Sequence, residues 1–140
     1  MFVVDASVWV SRFVPEDAHH QASTAWLETQ VDRGELLVAP ALLLPELAGA
    51  VARRTGISDL GAQAVSLVRS LPNTRLVAVD AELSELSATL AADLRMRGAD
   101  VIYTALARRL GVPLITWDQE QRERSQPTVA VLTPAEALQP

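Results

Sequence analysis

Short apolar runs alternate with longer helical stretches along this chain, and that alternation restricts its fold more than any other feature. Phe2–Val4, Leu36–Ala39, Arg75–Val79 and Pro113–Thr116 read as strands, and Thr128–Leu132 reads as a fifth. These runs are almost unbroken in their apolar character. A strand that is apolar on both sides needs cover on both faces, as parallel strands in α/β proteins have. Between them, Glu16–Arg33 reads as a helix opened by Pro15 and closed by Gly34. Ala41–Arg54 is helical and closes on Gly56, with Pro45 expected to kink or restart it. Asp59–Ser70 continues as helix and stops at Pro72, and Asp80 is a good N-cap for a helix running to about Met96. A further helix spans about Ala99 to Leu110, closed by Gly111, and Thr133-Pro134-Ala135-Glu136 is a capping box that opens a short last helix. The expectation is a three-layer α/β/α fold around a central parallel sheet of four to five strands. A length of 140 residues suits a single domain, residues 1–140, and is too short for two ordinary ones.

Four carboxylates stand out on this frame. Asp5 follows the first strand, and Asp118 follows the fourth by two residues. Glu46 lies about one turn into the helix after the second strand, and Asp100 is in the first turn of the helix after Gly98. In a parallel sheet these side chains arrive at the carboxyl edge, where open α/β sheets bind their ligands. Two such charges about 5 Å apart repel by roughly 3 kcal/mol at an effective dielectric near 20. A cation in their midst relieves that cost. Oxygen-only ligands select a hard ion, so Mg²⁺ or Mn²⁺ is expected rather than zinc. Such a site suits metal-assisted hydrolysis of a phosphodiester. Each acid alone also has a simpler explanation, because an Asp at a helix start is often a cap.

Composition removes several classes. There is no cysteine, hence no disulfide framework, thiolate site or cysteine nucleophile. The N-terminal stretch lacks a basic region and is interrupted by Asp5, so it does not read as a signal peptide. No apolar run reaches the roughly 20 residues a membrane span needs, and a cytoplasmic protein is expected. The net charge of −5 argues against a general polyanion binder. All twelve basic residues are Arg, several in close pairs, and Arg is the better bidentate phosphate ligand. The absence of lysine disfavours a receiver-type signalling domain and an aspartyl phosphatase, and no G-x-x-x-x-G-K is present for a P-loop enzyme.

The segments around the four acids are similar to the motifs of PIN-domain nucleases. Asp5-Ala6-Ser7 after the first strand looks like the opening motif, and Pro45-Glu46-Leu47 resembles the second. Arg97-Gly98-Ala99-Asp100-Val101-Ile102-Tyr103-Thr104-Ala105-Leu106-Ala107 closely matches the third, and Leu114-Ile115-Thr116-Trp117-Asp118 resembles the fourth. The likeness spans essentially the whole chain, with its third and fourth motifs the most specific. PIN proteins of this length are most often VapC-type toxins of toxin–antitoxin pairs. The resemblance therefore implies a Mg²⁺- or Mn²⁺-dependent endoribonuclease, inhibited by a cognate antitoxin and usually a homodimer. It carries catalytic and metal-binding roles to Asp5, Glu46, Asp100 and Asp118, with Asp5 and Asp100 foremost. Ser7 and Thr116 match positions that often place a hydroxyl behind the ligands. A PIN fold that grips RNA or protein without cutting is the alternative.

Other residues are weighed on position alone. Arg95 and Arg97 lead into Asp100 and are the first choice for RNA phosphate contacts. Tyr103 and Trp117 are expected to pack in the core rather than stack on a base, and Asp93 to sit on a solvated face. His19 and His20 are expected on the surface, far from the strand ends. The run Leu42-Leu43-Leu44 is wider than one buried face requires.

Overall fold

The structure, a computed structural model, describes residues 1–138. Its five strands are β1 (Phe2–Val4), β2 (Leu37–Pro40), β3 (Thr74–Val77), β4 (Leu114–Ile115) and β5 (Val131–Leu132). They form one sheet in the order β3-β2-β1-β4-β5, and every pairing is parallel. Val3 of the central strand faces Val38 on one side and Leu114 on the other, and all three are buried. The unbroken apolar runs thus mark strands covered on both faces.

Eight helices accompany the sheet among the described residues: α1 (Ala6–Phe13), α2 (His20–Asp32), α3 (Leu43–Thr55), α4 (Ser58–Ser70), α5 (Ala81–Leu94), α6 (Gly98–Leu110), α7 (Gln119–Ser125) and α8 (Pro134–Ala137). The chain moves outward from β1 to β2 to β3, then returns to β4 on the far side of β1. Right-handed crossovers in opposite senses place their helices on opposite faces. The packing agrees: α1 packs on both α2 and α3, and α3 packs on α4, while α5, α6 and α7 form a second group. This is the expected three-layer α/β/α arrangement. The reversal of direction opens a crevice outside the carboxyl ends of β1 and β4.

Several boundaries differ from the sequence reading. Helices α1 and α7 were not anticipated, and α2 starts at His20 rather than Glu16, leaving residues 14–19 as a loop. Pro45 neither kinks nor restarts α3, because it falls in the first turn, where backbone N–H groups have no helical partner to lose. Within the leucine run, Leu43 is buried and Leu42 packs half-buried against the core. Gly56 closes α3 and Gly111 closes α6 with positive φ, as their placement suggested. No helix among the described residues is long and apolar enough to cross a membrane.

Helices α3 and α4 approach closely through Gly61, where an added Cβ would lie 2.4 Å from the Ala48 carbonyl oxygen. Backbone cannot yield as a flexible side chain does. Gly61→Ala is therefore expected to push the helices apart and cost about 1–3 kcal/mol, visible as a lower midpoint in urea unfolding.

Candidate functional site

Asp5 is the centre of the crevice. It leaves β1 directly and caps α1, its Oδ2 accepting from Ser7 N at 2.9 Å. The same oxygen accepts from Thr116 Oγ1 at 3.1 Å, two residues before Asp118. Ser7 Oγ lies 3.3 Å from Thr116 Oγ1 and accepts from Trp117 N at 3.0 Å, which ties the ends of β1 and β4 together. Oδ2 is thus held by two donors. Among the described residues, Oδ1 has only Gln121 Nε2 at 3.5 Å. With 6% exposure and no cation beside it, the Asp5 carboxyl is pushed above the usual carboxylate range by burial, which outweighs its hydrogen bonds from Ser7, Thr116 and Gln121.

The other acids arrive from three different elements. Glu46 is in the first turn of α3, and its Oε2 accepts from the buried Tyr103 hydroxyl at 2.6 Å. Tyr103 does pack in the core, as expected, yet its polar end reaches the site. Its own pKa is raised by burial and by Asp5 and Glu46, so the hydroxyl stays protonated and can donate. Asp100 opens α6. Three residues join α6 to β4, so the C-terminus of this helix lies at the amino edge of the sheet and its N-terminus at the carboxyl edge. Gln121 Nε2 donates to Asp100 O at 2.9 Å and so bridges the α6 N-terminus to Asp5. Asp118 is exposed and caps α7, accepting from Gln121 N at 2.7 Å.

Burial raises Glu46 and Asp100 too, and the acids reinforce one another: Asp5 and Asp100 push Glu46 up, while Asp5 and Asp118 push Asp100 up. Among the described residues, no ion pair involves any of the four. Arg97 opposes the rise at Asp100 only through its field. A buried carboxylate that shares one cleft with three more and has no ion pair among the described residues has the donor chemistry of a Mg²⁺ or Mn²⁺ site. Among the described residues no three Asp, Glu or His side chains stand close enough to grip an ion together. The residues present therefore fit an ion that keeps several waters better than a closed all-protein cage.

All four acids line one open cleft of about 540 Å³, together with Ser7, Asp17, His19, Arg53, Arg54 and Trp117. One correction to the sequence reading follows. His19 is exposed, as expected, but not far from the strand ends. The unanticipated α1 turns the chain back so that loop 14–19 overhangs the cleft, and the His19 ring stacks on Trp117 with centroids 3.9 Å apart and planes 8° apart. Trp117 is accordingly only half-buried, its Nε1 donating to Ser23 Oγ at 2.7 Å. The arginines lining this cleft are Arg53 and Arg54. Arg95 and Arg97 lie exposed on the α5–α6 connection, where Arg95 O accepts from Arg124 Nη1 at 2.8 Å. Asp93 is exposed on α5, as expected. Gln121 was missed altogether. It sits on a polar helix with no apolar period, and only its complete burial marks it out.

The PIN domain family model matches residues 2–126. This chain belongs to the PIN domain family. No curated protein matches it significantly. Several solved structures share the fold of this PIN domain. VapC20 of Mycobacterium tuberculosis, described as a sarcin–ricin loop cleaving toxin, is 18% identical over 93% of this chain and 97% of its own, with a TM-score of 0.77. VapBC2 of Rickettsia felis, bound to a DNA fragment from its promoter, is 13% identical over 94% and 97%, with a TM-score of 0.72. A toxin–antitoxin complex from Klebsiella pneumoniae is 17% identical over 97% and 99%, with a TM-score of 0.70. Identities this low carry the fold and leave chemistry to the residues of the cleft.

Proposed function

We propose that this PIN domain is a Mg²⁺- or Mn²⁺-dependent endoribonuclease and the toxin of a type II toxin–antitoxin pair. The observation that carries the reading is Asp5, buried without a counter-cation and faced by Glu46, Asp100 and Asp118 at the switch point of a PIN-family sheet. Asp5 and Asp100 would hold the ion most directly, with Glu46 and Asp118 reaching it directly or through water. A divalent ion bound there supplies a lowered pKa for water and neutralises charge on the phosphate. The protein's own part is preorganisation. Ser7 and Thr116 fix Oδ2 of Asp5, leaving Oδ1 with a single long contact and free to act as ligand. Tyr103 holds Glu46 toward the cleft by its hydroxyl. Gln121 keeps the start of α6, and with it Asp100, beside Asp5.

The structural neighbours described as toxins or toxin–antitoxin complexes support a cognate antitoxin as partner; a homodimer in the cytoplasm remains part of the proposed reading. An antitoxin is expected to present a basic group to the acids, by charge complementarity. The test is incubation of the purified protein with total RNA, followed by sequencing of the new RNA ends. Defined cuts with Mg²⁺ or Mn²⁺ and none in chelator are expected. Binding of RNA with no metal-dependent cut would instead favour a PIN fold used for gripping.

A further inference from the structure

A negatively charged cleft must bind a polyanion by something besides charge, and one wall of this cleft carries a flat, uncharged surface. The Trp117 indole is fixed at its edge by Ser23, whose Oγ is 2.6 Å from Ser11 Oγ. His19 lies parallel on that indole, and its backbone N donates to Asp17 Oδ1 at 2.8 Å. Asp17 in turn pairs with Arg54 Nη1 at 2.5 Å, which straps the loop to α3. The imidazole is therefore held on one face and at its backbone, yet remains exposed. A histidine serving only to fill the core would be buried. Both rings line the cleft with the four acids. Nearby, Arg53 also lines the cleft and has no ion pair among the described residues. Its guanidinium lies over Gly49, where a Cβ would come within 3.0 Å of Nη1.

We infer that His19, backed by Trp117, is a stacking shelf for an unpaired base next to the scissile phosphate, and that Arg53 contacts the neighbouring phosphate. The inference rests on the ribonuclease reading and assigns the contact that holds an unpaired base, because a paired base has no face to offer. Stacking on a fixed ring is sequence-tolerant and independent of the acids, so it can retain RNA where charge alone would repel it.

Cleavage kinetics on a short single-stranded RNA test this, with an abasic position walked along the strand. His19→Ala is expected to raise KM about tenfold with kcat little changed, as loss of one base stack would. His19→Tyr, which keeps a flat ring, should restore KM. At one position, removal of the base should raise KM for the unaltered protein and leave His19→Ala no worse, since the two changes remove the same contact. An unchanged KM in His19→Ala overturns the shelf. So does a fall in kcat alone, a defect shared by His19→Tyr, or residue and abasic effects that multiply at every position. In each of these cases the unaltered protein still cuts RNA and the nuclease reading stands. Absence of cutting by the unaltered protein overturns both. His19 is exposed, so His19→Ala should melt with the unaltered protein, and the tyrosine variant controls for any disturbance of the loop.

Discussion

Asp5→Asn is expected to abolish RNA cleavage while raising the melting temperature of the metal-free protein. The substitution keeps the shape and an acceptor for Ser7 and Thr116, but removes the charge and the anionic ligand. Loss of an outer hydrogen bond to a metal ligand typically costs about 10–100-fold in affinity or activity, so loss of the ligand itself should exceed that. The gain in stability has a separate cause. In metal-free protein the Asp5 carboxylate is buried with no ion-pair partner among the described residues, and it repels Glu46 and Asp100. Neutralising a buried, uncompensated charge is worth on the order of 1 kcal/mol or more, a rise of about 4 °C for a chain of this size. Cleavage assays and differential scanning calorimetry on one preparation measure both. Retained activity, or a lower melting temperature in chelator, would remove Asp5 from the centre of the site.

Mg²⁺ or Mn²⁺ is expected to raise the melting temperature, and to do so more at pH 8 than at pH 5. At about 100 times its dissociation constant an ion adds roughly 2.7 kcal/mol, a shift on the order of 10 °C. The pH dependence follows from the raised acids. Asp5, Glu46 and Asp100 hold their protons to higher pH in the folded chain than in the unfolded one. Between the ordinary carboxylate range and their raised values the folded state binds more protons, so their contribution to stability is lost as pH rises. An ion needs them deprotonated and competes with those protons, so its stabilising effect grows over the same window. Asp17, Glu35 and Glu136 shift the other way and lose stability as pH falls. They lie with or without metal in the same ion pairs, so the difference between the two melting temperatures at each pH isolates the cluster. A metal effect equal at both pH values would fail this expectation.

The elements that could be read from the chain were those with a strong local signal. β1 and β2 are apolar runs, α6 is bracketed by Gly98 and Gly111, and the capping box at Thr133–Glu136 forms as its spacing suggests. The two missed helices have weak local signals. In α1, Val8, Trp9 and Val10 are poor helix formers that prolong the apolar look of the N-terminal stretch, and the helix depends on the Asp5 cap. In α7 the sequence QEQRERS has no apolar period, and the helix is held by the Asp118 cap and by burial of Gln121 and Ser125. Missing α1 also misplaced His19, because the loop that follows it could not be traced back over the strand ends.

By itself the sequence determined the alternation of elements, the parallel sheet they require and the four acids at its carboxyl edge. Those properties rest on local pattern and on the physics of covering a two-sided apolar strand. Only the tertiary structure decided which oxygen of Asp5 is tied down, that Gln121 supports it, and which arginines share the cleft. It also laid His19 on Trp117. These are contacts between side chains remote along the chain, and their geometry follows from packed helices and loops that no local spacing encodes.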